Sequence, residues 1–154
     1  MVMDVGLELA KIELFAGLPA EDLAAIVLIA QPVRFEPSQV IYRTGDAGDA
    51  LYVIVEGTVT VRTHDENGDE VEVARLKAGS YFGEMEVIGG MTRTASIVAE
   101  SDGRGYRLVG NALLDALGRS DRLAAHFYRQ ISRELVRRLR NTTRDMGYFK
   151  TRAR

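Results

Sequence analysis

Two carboxylates and one arginine share a short stretch of this chain, "FGEMEVIGGMTRTASI", residues 82–97. Glu84 and Glu86 stand two apart, and Arg93 follows Glu84 by nine residues, with Gly89 and Gly90 between them. A carboxylate pair can divide general acid and general base duties. At this spacing the two share a face only in a strand. The flanking glycines favour a loop or short helical turn, so acid/base catalysis fits poorly. A binding loop fits better. The start of a helical turn offers unpaired N–H groups and partial positive charge to an anion. Arg93 adds a planar fork that can hold phosphate oxygens in pairs. An ionised Glu84 can only accept hydrogen bonds, which suits a hydroxyl close to that phosphate. An anion seat beside a hydroxyl acceptor describes a sugar phosphate. A loop whose Glu and Arg pair with each other satisfies the same residues, and the stretch by itself leaves both open.

Other chemistries find little support. His64 sits beside a predicted hairpin tip and His126 in a predicted helix, neither with a His or Cys at ligand spacing, so no metal site is expected. There is no GxSxG and no Walker loop, and no enzymatic activity is expected. The chain has no cysteine, which fits a reducing cytoplasm and excludes disulfides. No apolar run approaches the ~20 residues that cross a bilayer, and the acidic start lacks the basic region of a signal peptide. Charge is uneven. Residues 1–118 carry 9 basic and 19 acidic side chains, a balance of −10, whereas 119–154 carry 11 and 3, a balance of +8. The basic segment is read as the solvated face of a helix, with an acidic partner or nucleic acid as the alternative.

The elements that must position the loop can be read from periodicity. The 154 residues suit one domain. Residues 4–30 read as helices: "DVGLELAKIELF" carries apolar residues at helical spacing, "GLP" breaks it, and "AEDLAAIVLIA" begins again with acids in its first turn. Residues 31–109 read as short strands. Leu51, Val53, Val55, Val59 and Val61 share a parity, and "EVEVARL" alternates through Val71 and Val73. Between these runs Asn67-Gly68 predicts a tight hairpin with positive φ at both residues. Closely spaced turn signals make the strands a barrel or sandwich. Residues 111–118 form a short helix. Ser120 or Asp121 then caps a long helix over 121–145, ahead of a frayed basic tail. That helix carries Leu123, Phe127, Ile131, Leu135 and Leu139 four apart. A second line, Tyr128, Ser132, Leu135, Leu139, Thr142 and Met146, suits a dimer seam.

At this point the stretch resembles the phosphate-binding cassette of cyclic nucleotide-binding domains, F-G-E-(L/I)-A-L followed, after a variable gap, by P-R-(T/S/A)-A-(S/T)-V. Phe82, Gly83, Glu84, Arg93, Thr94, Ala95 and Ser96 match. Upstream, "GDAGDALYVIVEGTVTV", residues 45–61, resembles the family's second signature, and the helix, barrel, helix, helix order is similar throughout. The resemblance implies an α+β fold: an antiparallel jelly-roll barrel flanked by N-terminal helices and a C-terminal helix pair, as one domain over 1–154. It implies that Glu84 takes the ribose 2′-hydroxyl and Arg93 the exocyclic phosphate oxygens. Thr94 would add a hydroxyl, beside Ala95, and backbone N–H groups around Gly83, Met85 and Glu86 would complete the cradle. Arg93 would serve the ligand, with little part in holding the fold. "VRRLRNTT", residues 136–143, lies where the catabolite activator branch places hydroxyls over adenine, so Thr142 and Thr143 are the lid candidates, one of them acting across a dimer. The expected ligand is cAMP, with cGMP second because Thr94 is compatible with it. The implied role is a cytoplasmic, homodimeric sensor for a downstream protein, with no cofactor and no membrane contact. With only nine residues after Asp145, a helix-turn-helix within this chain and base-specific DNA reading by it are not expected, so it is either a stand-alone sensor or a piece of something longer. Among the departures from the pattern, Glu86 replaces a small residue, Val87 a leucine and Thr92 the proline. Glu86 is either an acid in a helix's first turn facing solvent or a charge that weakens nucleotide binding. If binding is lost, the chain is an interaction module that keeps the fold alone.

Overall fold

The structure, a computed structural model, describes residues 4–152, with side chains through residue 144. Two helices, α1 (Val5–Ala10) and α2 (Ala20–Ile29), precede eight strands. The strands are β1 (Ala30–Phe35), β2 (Val40–Tyr42), β3 (Ala50–Glu56), β4 (Val59–His64), β5 (Glu70–Leu76), β6 (Tyr81–Phe82), β7 (Ser96–Ala99) and β8 (Gly103–Val109). A short helix α3 (Glu84–Gly89) interrupts them, and α4 (Gly110–Arg119) and α5 (Asp121–Arg152) follow. The strands make two antiparallel four-stranded sheets, ordered β1-β8-β3-β6 and β2-β7-β4-β5, the jelly-roll arrangement expected.

Strand β3 of the first sheet is buried on both faces. Leu51 and Val53 of β3 face the helices and join Phe15, Ile26, Leu113, Leu123 and Phe127 in one apolar cluster. Ile54 faces inward and meets Phe35, Val59, Phe82 and Ile97 between the sheets. The single parity expected from Leu51 to Val61 is therefore broken at Gly57. Val55 packs toward the helices, but Val59 and Val61 pack inside the barrel. A register shift between Ile54 and Glu56, and φ of +100° at Gly57, let the chain turn between sheets.

Four local expectations are corrected. The first helix ends at Ala10, and tight turns carry residues 11–17. Ile12, Leu14 and Phe15 are all at most 1% exposed, and a regular helix cannot aim three such positions at one core. Second, β5, an edge strand, alternates in sequence but not in burial; Val71 and Val73 are both exposed. Third, the β4–β5 hairpin exists, but only Gly68 has positive φ, at +82°. The Asp65 carboxylate accepts from the amides of Asn67 and Asp69, which holds a wider turn than the two-residue form. Fourth, α5 does not fray after Asp145; its backbone stays helical to Arg152, since one Gly147 costs about 1 kcal/mol and does not stop a helix.

Polar pairs hold the helices to the sheet. Glu8 of α1 accepts from Arg104 and Tyr106 of β8, and the Arg104 hydrogen bond holds the Glu8 carboxyl below its usual range. Ser120 is the N-cap of α5: its Oγ accepts from the Leu123 amide at 3.1 Å and donates to Asp22 of α2 at 3.2 Å. No helix among the described residues is long and apolar enough to cross a membrane.

Candidate functional site

Strand β6 ends at Phe82, and Gly83 turns the chain into α3 with φ of +88°. An added Cβ there would lie 2.8 Å from Arg93 Nη1 and 2.9 Å from the Ala50 carbonyl, so the position admits only glycine. Gly90, φ +64°, ends α3, and the Met91 amide closes the turn onto the Glu86 carbonyl at 3.0 Å. The chain then returns through Arg93 beneath the loop of residues 43–49. Arg93 and Asp46 join by a backbone bond of 2.8 Å, as do Gly45 and Arg93. Gly48 passes so close to Glu86 and to the Met91 carbonyl that a side chain there would collide with both. Thus the upstream glycine-aspartate stretch backs the cassette.

Between this cassette, strands β4 and β5, and helix α5 lies a cavity of about 450 Å³. That is the size range of small-ligand sites. Gly83, Glu84, Met85, Glu86, Thr94 and Ala95 line one side, all of them singled out from the sequence. Val61, Val73, Leu76 and Ile97 give an apolar wall, which explains the exposed Val73 of β5. Arg138, Asn141 and Thr142 of α5 close the third side. Thr142 therefore reaches the cavity, although its hydroxyl donates to the Arg138 carbonyl at 3.0 Å. Thr143 does not line it. At about 100° per residue its Cα–Cβ direction lies well around the helix from Arg138 and Asn141.

Arg93 and Glu86 differ from expectation. Arg93 is 2% exposed and is absent from the cavity wall. Its Nη1 donates to the Gly83 carbonyl at 3.1 Å and its Nη2 to the Ala50 carbonyl at 2.6 Å. The guanidinium lies 3.9 Å above the Tyr42 ring, with Asp49 at 3.8 Å. So this arginine holds the cassette to β3, a structural part the family pattern did not imply. Glu86 does not face bulk solvent. It is 5% exposed, and its Oε1 stands 3.6 Å from Arg93 Nη1. The helix start points its side chain inward, and Gly48 leaves the room for it.

Glu84 is 3% exposed. Its Oε1 meets Arg138 Nη1 of α5 at 3.4 Å. Burial raises its pKa above the usual carboxylate range, and Arg138 opposes that rise. A hydroxyl held by the ionised Glu84 should therefore be lost on acidification. We expect cyclic nucleotide affinity to fall as the pH is lowered, beginning above the range in which an exposed glutamate titrates. Glu84→Gln should bind weakly with a flat profile. A wild-type affinity constant with pH, measured by calorimetry, would remove Glu84 from the binding step. Because the folded-state pKa is raised, protonation of Glu84 favours the fold, so the loss of affinity is not a loss of structure.

Sequence reasoning missed Tyr42 and Arg138. Tyr42 follows a strand pattern shared by ordinary core residues. Arg138 is one of three arginines in "RRLR", and only the phase of α5 against the body selects it.

The Cyclic nucleotide-binding domain model matches residues 32–120, and the chain belongs to that family. A CRP-like cAMP-activated global transcriptional regulator of Mycobacterium tuberculosis is 27% identical over 139 residues, which are 90% of this chain and 60% of that protein. The catabolite activator protein of Thermus thermophilus superposes with a TM-score of 0.77 at 28% identity, covering 90% of this chain and 63% of that one. A third kind of relative is the regulatory subunit of a cAMP-independent protein kinase A. That of Trypanosoma cruzi, bound to guanosine, is 27% identical with a TM-score of 0.68 over 73% of this chain and 40% of that one. That of Trypanosoma brucei (26% identical, TM-score 0.65, 82% and 49% covered) is a mutant bound to cAMP. Its changes are glutamate to alanine, then threonine to arginine seven positions on, then valine to alanine at the next. The chain spans less than two thirds of the length of the first curated relatives it matches, between 13% and 60%.

Proposed function

We propose that this chain is a regulatory module that binds cAMP in the cavity under α5 and transmits occupancy through that helix. One observation carries the reading: the buried carboxylate suited to a ribose hydroxyl, Glu84, is the one that holds Arg138 of α5. A ligand hydroxyl on Glu84 changes what restrains α5, so the cavity and the helix share one contact. The apolar wall of Val61, Val73 and Leu76 suits a base, and Asn141 and Thr142 supply polar groups above it. The family membership and the cAMP-activated relative support a cyclic nucleotide. Thermal melting with cAMP and with cGMP tests this. A ligand at 100 times its Kd adds about 2.7 kcal/mol. No shift with either nucleotide at millimolar concentration would sink it.

The second reading, an interaction module that keeps the fold without the nucleotide, is favoured by the contact of Glu86 with Arg93.

Either reading includes a homodimer. Leu123, Phe127 and Ile131 are buried on the body, but Tyr128, Leu135 and Leu139 are 40%, 39% and 67% exposed and share one side of α5. Leu135 and Leu139 are thus not buried on the chain's own barrel. Met146, the last residue of the seam, lies outside the described side chains. We expect a dimer at micromolar concentration by light scattering, and Leu135→Glu with Leu139→Glu should convert it to a monomer. A wild-type monomer, with and without cAMP, would remove the seam and any cross-subunit part for Thr143.

A further inference from the structure

A second, smaller cavity, of about 160 Å³, lies between the two sheets. Val33 and Phe35 of β1, Ile41 of β2, Tyr52 and Ile54 of β3, and Phe82 of β6 line it. Ile54, Phe82 and Phe35 are 1%, 5% and 6% exposed, so its floor is part of the core. β1 and β2 are edge strands of their sheets, and exposed Gln39, on the loop that joins them, stands at the rim. Arg34 and Val53 also border the cavity, but strand alternation turns their side chains to the opposite face from Phe35 and Ile54. Val53 accordingly packs in the cluster on the helix side. The polar groups at hand are the Gln39 amide and the Tyr52 hydroxyl, and each has a partner. Gln39 Oε1 accepts from the Glu36 amide at 3.0 Å, and the Tyr52 hydroxyl accepts from Arg107 Nε at 3.3 Å. A buried water needs about two to four polar partners, and an apolar cavity of roughly 150 Å³ stays dry and takes benzene or xenon.

The lining also sets what fits. Tyr52 and Phe82 stack at 5.1 Å with their planes 8° apart. A ring entering beside them and Phe35 meets aromatic faces and edges, the surroundings another aromatic ring favours. With Arg34 turned away, a charged group would lose its water without gaining a partner. Phe82 lines the cavity under α5 as well, so the two cavities share a wall. It precedes Gly83, whose carbonyl holds Arg93. Its ring lies 5.9 Å from that of Tyr42, which Arg93 covers at 3.9 Å. We propose that the cavity between the sheets is a second binding site, for a small uncharged molecule built on one aromatic ring, and that its occupant raises cAMP affinity by bracing Phe82 behind the cassette. The second half rests on the cavity under α5 being the nucleotide site; the first half does not. A filled cavity denies the Phe82 ring the space into which it could turn, so nucleotide binding has less left to order. The coupling is reciprocal: cAMP must raise affinity for the ring by the same factor.

Toluene is the probe. It is titrated into the whole chain labelled at its isoleucine and valine methyl groups, and cAMP affinity is measured by calorimetry with and without it. Saturable shifts should appear at Val33, Ile41 and Ile54 before Val61 and Val73 of the larger cavity. Benzoate, the same ring with a charge, should bind at least about tenfold more weakly. Biphenyl, with two rings, should not bind. With toluene present cAMP should bind about fivefold more tightly, the low end of usual couplings. Val33→Phe, at a half-buried strand position, narrows the cavity and should abolish the toluene shifts. The ligand series needs no variant and stands even if this one folds poorly. Toluene that does not bind, or that cAMP displaces, would overturn the site. Benzoate or biphenyl binding as tightly as toluene would overturn its chemistry. Toluene binding that leaves cAMP affinity unchanged or weaker would overturn the coupling through Phe82. Toluene binding in a chain that takes no cyclic nucleotide would sink the cAMP reading and leave the second site standing.

Discussion

Replacing Arg93 by alanine should destabilise the fold by about 3–5 kcal/mol, the cost of removing one partner from a buried charged pair. For a chain of this size that lowers the melting temperature by roughly 6–20 °C. The physical account has three parts. The Gly83 and Ala50 carbonyls lose their donors in a buried place, each at about 1–3 kcal/mol. Glu86, 5% exposed, loses its compensating charge. Tyr42 loses the cation over its ring. Relief of the arginine's own desolvation offsets part of this. The same variant should fail to bind cAMP, because the cassette it pins to β3 is no longer held. A pairwise cycle separates the contributions. Glu86→Ala combined with Arg93→Ala should be more stable than Arg93→Ala alone, since the uncompensated carboxylate is gone. A melting temperature for Arg93→Ala within about 2 °C of wild type would mean that the guanidinium serves only the ligand, as the family pattern alone implies.

That difference shows what sequence could and could not carry. The order of helices, strands and cassette was legible because each rests on local chemistry. Gly83 marks a backbone turn, Ser120 caps a helix, and β-branched runs alternate with turn residues. The destination of the Arg93 guanidinium was not legible. It depends on carbonyls from residues 50 and 83 and on the passage of Gly48 beside Glu86, three segments that only the fold brings together. Burial of β5 was misread for a related reason. Period-two alternation says that a strand forms, but not which face is covered, and here Val73 faces a cavity. The long helix was found with its stripe of leucines, yet the stripe does not say where the body ends. That limit lies after Ile131, beyond which Leu135 and Leu139 are exposed.

The same boundary sets the second large effect. Phe127 is 1% exposed, packs in the cluster between the helices and the first sheet, and meets Tyr128 edge-on at 5.3 Å. Phe127→Ala should cost about 3–5 kcal/mol, through lost burial and the cavity left behind. Leu139→Ala, one face around and three turns on, should change the stability of a monomer by less than about 0.5 kcal/mol. The contrast has a functional sense. The first turns of α5 are fastened by Leu123, Phe127, Ile131 and the Ser120 cap. Among the described residues, the part that reaches the cavity is tied to the cassette by Arg138 on Glu84, together with the side chains lining the cavity. A helix fixed at its start and lightly held beyond can respond to a ligand without unfolding its base. Amide exchange should therefore show that cAMP slows residues near 134–142 while leaving 123–131 already protected. In Phe127→Ala the early turns should exchange faster as well, and ligand should then protect both stretches together. Equal protection of the two stretches in unliganded wild type would mean that the whole helix is one rigid unit, and that occupancy is not passed through its far half.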